Sequence, residues 1–323
     1  MDLLSGSWPG EIFLFKGGPG RTFDKPVMLK DKQGEIINIG GGISERPNGG
    51  LLITGSAKFE TTDEGTFVMY RGKRIKSSPD KPLATTGSAS TVRAVDWDAD
   101  GDLDLIVGNI KGDVVWIPNE GTPKDYAFGE PVQLKADNRP LKASSGRAGP
   151  FVADWDGDGD LDLLVGAENG SVSLYKNKGS RTSPKLTAAK QIVPPGKVTY
   201  GPSAPKGVRR GNRAKICVAD WNGDGHLDLL VGDMTTQKPD LPEPTAAQEA
   251  EYARIRKDLE PVNQRYSELI DKLMGNSRVR TEAEQKKVQE ELSEVGDRMQ
   301  AMREKLPREY DTHGWVWLFL RKP

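Results

Sequence analysis

Apolar positions along this chain fall into short runs that end in glycine. LDLIVG (103–108), LDLLVG (161–166) and LDLLVG (227–232) are three of them. Each follows a second apolar run, VRAVDW (92–97), FVADW (151–155) or ICVADW (216–221). In the first two units an alternating segment comes next, GDVVWIPN (112–119) and GSVSLYKN (170–177). Runs this short, β-branched and bounded by Gly or Pro predict strands rather than helices. With a Pro-punctuated fourth segment such as SPKLTAAKQIV (183–193), each unit reads as four strands. Two weaker copies precede these, LLITGSAKFETTDEGTFVMYRG from Leu51 and MDLLSGSWPGEIFLFKGG at the start. The recurring glycine is Gly6, Gly55, Gly108, Gly166 and Gly232, giving intervals of 49, 53, 58 and 66 residues. That period is too long for a solenoid coil and suits one propeller blade. The expected fold is an all-β propeller of about five blade units. Met1-Asp2-Leu3-Leu4 aligns with the second strand of a unit, and HGWVWLFLRKP (313–323) with the third, so the first and last units are incomplete. The sequence therefore reads as part of a longer propeller, with a closed five-bladed ring as the alternative.

Between Pro244 and Leu306 the pattern changes from period two to heptads. Tyr252, Ile255, Leu259, Val262, Tyr266, Leu269 and Leu273 recur every three or four residues, as do Val288, Leu292, Val295, Met299, Met302 and Leu306. Gly275-Asn276-Ser277 separates the two seams, and Thr281 with Glu284 forms a capping box for the second. The spacing predicts an antiparallel coiled-coil hairpin with arms roughly 40 Å long, kinked or restarted at Pro261. The domain reading is blades over 1–244, the hairpin over 245–306 between the second and third strands of the last blade, and a closing strand over 307–323. Strand alternation puts this hairpin on the face opposite the loops joining first to second strands.

Those loops carry the chemistry. DWDADGDLDLIVG (96–108), DWDGDGDLDLLVG (154–166) and DWNGDGHLDLLVG (220–232) share Asp-x-Asp/Asn-x-Asp-Gly-x-x-Asp. Acidic residues this dense need a counter-charge. Oxygens at positions 1, 3, 5 and 9 converge in a tight loop, the backbone carbonyl of position 7 adds another, and glycine at position 6 permits the turn. Such a set of six to eight hard oxygens at roughly 2.3–2.6 Å suits calcium, whereas zinc would call for His or Cys. Three Ca2+ sites are expected: Asp96, Asp98, Asp100, Asp102 and Asp104; Asp154, Asp156, Asp158, Asp160 and Asp162; and Asp220, Asn222, Asp224, His226 and Asp228. Asn222 removes one charge, so the third should be weakest. Position 12 is Val107, Val165 or Val231 inside a strand, which excludes an EF-hand. The Leu51 unit has Pro47-Asn48-Gly49-Gly50 instead, and no metal is expected there.

The DWDGDGDLDLLVG motif resembles the FG-GAP/VCBS repeat family, calcium-binding propeller repeats of integrin α heads and many bacterial secreted proteins. The resemblance extends over nearly everything outside 245–306. It implies an extracellular or periplasmic location and a binding or adhesion role, although some calcium propellers are polysaccharide lyases. A calcium site of extracellular-module affinity fills only where calcium is about millimolar, which agrees. MDLLSGSWPG is not a signal peptide, and the reading attributes its absence to a truncated N-terminus.

Composition adds exclusions. A formal net charge of −1 over 323 residues points to neither nucleic acid nor an anionic membrane. No segment reaches the roughly 18 apolar residues of a membrane span. The single Cys217 excludes an internal disulfide and, within ICVA, reads as buried. Trp97, Trp155 and Trp221 at position 2 of each loop read as packing between blades. Basic residues collect on the hairpin face: Arg139, Lys142, Arg147, Lys206, Arg209, Arg210 and Arg213, a candidate site for an anionic glycan or an acidic protein segment. The chain has only two histidines, so an enzyme would rest on His313 with Tyr310 and Arg308. No catalytic residue is assigned. Three functions remain open: a secreted binding module, a calcium-dependent lyase or hydrolase, and an architectural repeat.

Overall fold

The computed structural model describes residues 2–8, 10–39, 91–197, 207–274 and 282–322. Between 42 and 86 it adds the backbone of six strands and the side chains of Phe67, Arg74 and Lys76. The fold is mostly β, with several antiparallel sheets and two helices. The first sheet is β1 (Leu3–Gly6), β2 (Ile12–Phe15) and β3 (Val27–Met28). In the next stretch β4 (Gly42–Glu45), β5 (Leu51–Thr54) and β9 (Leu83–Thr86) share one sheet, while β6 (Lys58–Thr62), β7 (Gly65–Tyr70) and β8 (Lys73–Lys76) form another. Two four-stranded meanders follow. One is β10 (Thr91–Val95), β11 (Asp104–Gly108), β12 (Val114–Ile117) and β13 (Val132–Gln133). After a small ribbon, β14 (Lys135–Ala136) with β15 (Arg139–Pro140), the other is β16 (Gly149–Ala153), β17 (Asp162–Gly166), β18 (Val172–Tyr175) and β19 (Lys190–Val193). The last sheet is β20 (Asn212–Ala219), β21 (Asp228–Gln237) and β22 (Asp311–Phe319).

Three cores link four of these sheets in a row. Ile12 and Leu14 of the first sheet pack with Leu105, Val107 and Ile117. The opposite face of that meander, with Ile106 and Val114, packs with Leu163, Val165 and Tyr175 of the next. Leu164, Val172 and Leu174 then meet Ile216, Leu229 and Val231. Alternate residues of a strand point to opposite faces, so the fully buried runs of β11 and β17 are those of sheets covered on both sides. None of the three cores joins the first sheet to the last, so among the described residues no ring is closed.

The recurrent glycine has a steric origin. A Cβ at Gly108 would lie 2.3 Å from the Ala148 carbonyl oxygen, and one at Gly166 2.4 Å from that of Ala214. Both carbonyls precede or lie in the first strand of the following sheet, so the glycine sets how closely neighbouring sheets approach. At Gly232 the nearest such atom, the Lys215 carbonyl oxygen, is 3.7 Å away.

Three expectations fail here. The Leu51 unit is not a four-stranded antiparallel blade: β5 pairs with β9 in parallel, and β6–β8 makes its own meander. Moreover, the first sheet packs directly on β10–β13, with no blade between them. KFETT and GTFVMY are separated by two residues, so local closure competes well against the longer-range pairing of LLIT with TFVMY. The Pro47–Gly50 segment and Gly55 lie outside the described residues. Cys217 is exposed, not buried. Its counterpart by strand register is Phe151, which packs into the third core, whereas no following sheet covers Cys217 among the described residues.

Between the paired strands β21 and β22 run α1 (Ala246–Met274) and α2 (Glu282–Arg303). Thr245 caps α1 reciprocally with Gln248: the Gln248 N–H donates to Thr245 Oγ1, and the Thr245 N–H donates to Gln248 Oε1. At about 1.5 Å per residue the helices measure about 44 and 33 Å. They pack antiparallel, Arg265 bonding Glu291 and Arg303 bonding Asn263. Leu259, Val262 and Leu269 are buried in the seam. α1 continues through Pro261 without a break. The capping box at Thr281 and the Gly275–Ser277 turn lie outside the described residues. No described helix is long and apolar enough to cross a membrane. Because the seam residues face the partner helix, removing 245–306 in favour of the short AENG turn of 167–170 should leave the sheets folded. An insoluble deletion product would show the hairpin to be integral.

Candidate metal centres

In each acidic loop the ninth residue is a bracket. Asp104 Oδ2 accepts the Trp97 N–H, and its Oδ1 accepts the Asn119 N–H from the exit of β12. Asp162 does the same for Trp155 and Asn177, and Asp228 for Trp221 and Arg321. All three carboxylates are fully buried, and each ties the ends of three strands together. A carboxylate oxygen keeps a second lone pair after one such bond, so the bracket can also face an ion. Asp162→Ala would strand two buried N–H groups and should cost on the order of 3 kcal/mol. Chemical denaturation checks this, with Asp162→Asn as the milder comparison.

The remaining acids diverge between copies. Asp96, Asp98 and Asp100 place one carboxylate oxygen each within 4.8 Å of one another, and so do Asp154, Asp156 and Asp158. These two triplets can hold a metal ion. At position 7 the backbone N–H of Asp102, Asp160 and His226 donates to the position-5 carboxylate, closing the same turn in all three loops. In the second loop Asp154 accepts the N–H groups of Gly157, Asp158 and Gly159. In the third, Asp220 accepts those of Gly223, Asp224 and Gly225. There the Asn222 amide also donates to Asp224 Oδ2, so the loop satisfies itself. Position 4 is the glycine that allows this, with φ 78° at Gly157 and 74° at Gly223, whereas the first loop holds Ala99 at 62°.

In the first loop the buried oxygens Asp96 Oδ1, Asp98 Oδ1 and Asp102 Oδ1 have no hydrogen-bond partner, and Asp102 is 6% exposed. In the second loop only Asp156 Oδ1 is in that state, and no oxygen of the third is. Orphaned buried anionic oxygens are costly unless a cation joins them, so the first loop is built for one more group than the protein supplies. Burial pushes the carboxyls of Asp98 and Asp102 above their ordinary range, and the like charge of Asp100 adds to it. Burial likewise raises Asp104 and Asp162 against the pull of their N–H partners. Asp156 goes the other way, held down by its hydrogen bond to Lys176. The His226 N–H lowers Asp224.

The tryptophans follow the packing. Trp97 is 3% exposed inside the second core, and Trp155 is partly buried against the third. Trp221 is 62% exposed, there being no following sheet over it among the described residues. Each covered tryptophan is clamped from the next sheet, its carbonyl accepting Arg181 at Trp97 and Arg321 at Trp155.

The expected basic patch is largely spent within the protein. Lys142 pairs with Asp113, and Arg147 and Arg213 both pair with Glu168. Arg209 donates to the Thr236 carbonyl, and Arg210 to those of Pro194 and Gly170. The expectation that these cations stand without nearby acids is therefore corrected. Asp113 and Glu168 sit in the turns after β11 and β17, and register brings them against the segments before the next sheet. Arg139 is exposed, and Lys206 lies outside the described residues. His313 bonds Gln237 and stacks on Trp315, Arg308 pairs with Asp311, and Tyr310 is exposed.

No curated protein sequence matches the chain. The family model for the FG-GAP-like repeat matches residues 96–165 and again 154–231, each span running from one acidic loop into the strand after the next. The strands, brackets and acidic loops over those residues are the repeat itself. Over residues 96–231, about two fifths of the chain, the sequence and its folded units match the FG-GAP-like repeat.

Proposed function

We propose that the chain is a calcium-binding module of propeller type, whose ions stabilise the edge of the stacked sheets and whose role is binding or adhesion rather than catalysis. The observation that carries this reading is the trio of orphaned buried oxygens, Asp96 Oδ1, Asp98 Oδ1 and Asp102 Oδ1, in a loop of five aspartates. Oxygen donors alone in a turn suit a hard cation, and calcium accepts the larger, less regular set that such a loop offers. Asp96, Asp98, Asp100 and the position-7 carbonyl would hold the first ion. Asp154, Asp156 and Asp158 would hold the second, and Asp220, Asn222 and Asp224 a weaker third. When bound, the ion supplies positive charge and nothing more. The loops fix the first-to-second strand corners and, through the Arg181 and Arg321 clamps, the neighbouring sheet. If these loops bind with the roughly 10⁻⁴–10⁻³ M affinity of extracellular modules, they would work outside the cell or in a periplasm. The partner would be a protein or a polar ligand.

Calorimetric titration of the metal-free protein tests this. At least two calcium ions per chain should bind, and magnesium should bind far more weakly. A flat titration with calcium would end the proposal.

A further inference from the structure

The second loop already contains a cation of its own. Lys176 leaves the end of β18, and its ammonium donates to Asp156 Oδ2 at 2.5 Å. Strand register identifies its counterparts, because Ile117, Tyr175 and Phe319 occupy one position, paired with Leu105, Leu163 and Leu229. The next residue is Pro118 in the first repeat, Lys176 in the second and Leu320 in the third. Only the second repeat has a charged group there. At the first loop the nearest cation among the described residues is Arg181, whose Nη2 stays 3.9 Å from Asp96 Oδ2. A guanidinium at that distance makes no hydrogen bond.

The pattern of orphaned oxygens follows this difference. Three buried carboxylate oxygens are unpartnered in the first loop and one in the second. That one, Asp156 Oδ1, belongs to the carboxylate whose other oxygen Lys176 holds. Both members are partly sheltered, with side-chain exposures of 36% for Lys176 and 19% for Asp156.

We propose that Lys176 is a built-in competitor that sets the order in which the loops take calcium: its ammonium supplies part of the positive charge the second loop needs, while among the described residues the first loop has no such group. This inference rests on the calcium reading above. It follows that the first loop depends on the ion for its charge balance and fills first. The second is partly neutralised without calcium and fills only as the ammonium withdraws from Asp156. The two loops, nearly identical in sequence, would then serve different calcium ranges.

The test isolates the second loop by combining Asp98→Asn with Asp224→Asn, which weakens the first and third sites. In that background calcium binding is measured by calorimetry, with terbium luminescence as a second readout, with and without Lys176→Met. Removing a charge-assisted hydrogen bond to a ligand oxygen should tighten calcium binding about tenfold. Lys178→Met, a nearby charge without the bond, should change it by less than about twofold. In EDTA the order should reverse, Lys176→Met melting earlier than Lys178→Met because Asp156 loses its partner. Lys176→Arg keeps the charge and should retain the weak affinity. Equal calcium constants with Lys176 and with Met would overturn the inference and leave the calcium reading standing. Absence of calcium binding in the parent protein and in every variant would overturn both.

Discussion

Chelation with EDTA should lower the melting temperature of this protein by on the order of 10 °C relative to calcium at about a hundredfold excess over Kd. An ion that binds only the folded state stabilises it by RT ln(1 + [L]/Kd), about 2.7 kcal/mol for each site at a hundredfold excess over Kd. Two loops with converging carboxylates contribute separately. The gain should also grow with pH. Asp98 and Asp102 have carboxyls raised by burial, so without calcium each stabilises the fold fully only below its unfolded pKa. That contribution is lost as pH rises through the raised value, and the ionised pair then favours the metal. Calcium should therefore matter least below the ordinary aspartate range, about pH 4, and increasingly as pH rises through the raised values of this pair. Melting curves that coincide in EDTA and calcium at neutral pH would refute the claim.

Replacing Gly166 by valine should be as damaging as removing one ion. The new Cβ would sit 2.4 Å from the Ala214 carbonyl oxygen, and neither backbone can retreat without parting the third core. Overpacking of this kind costs about 3 kcal/mol or more, enough to lower the melting temperature by about 5 °C in a chain of this size. Gly232→Val is the control, since its Cβ has 3.7 Å of clearance and should change stability by no more than about 1 kcal/mol. If both variants melted together, the glycine would be serving the strand and not the interface between sheets.

The sequence made the two four-stranded meanders legible because each apolar run is closed by a glycine and opened by an acidic turn. Two independent signals agreed on the pairing of β10 with β11 and of β16 with β17. Around Leu51 only the apolar runs were present, and a run alone does not say which neighbour it pairs with. The acidic loops were legible as a pattern of oxygens, but their division of labour was not. Asp104, Asp162 and Asp228 look like further ligands in sequence, yet they first satisfy N–H groups at either end of a strand triplet. Lys176 left no trace because its contact with Asp156 spans 20 residues and depends on how β18 emerges beside the loop. The basic residues misled for a related reason: Arg147, Arg213 and Glu168 are remote in sequence and meet only through the stacking. Thr245-x-x-Gln248 could have been found by the same rule that drew attention to Thr281.

The close approach of a carbonyl onto Gly108 and onto Gly166 makes the two four-stranded sheets neighbour-dependent units. Stability then behaves as a short chain of coupled terms, one for each sheet and one for each contact between adjacent sheets. Among the described residues a defect in β16–β19 weakens two contacts at once, whereas the same defect in the last sheet weakens one. Opening should accordingly propagate inward from the exposed face that carries Trp221, Val316 and Leu318. Amide protons of β11 and β17 would be the slowest to exchange and those of β22 the fastest. Calcium held at the corners would raise the coupling between sheets more than the strength of any one of them, and so would sharpen the unfolding transition as well as shift it.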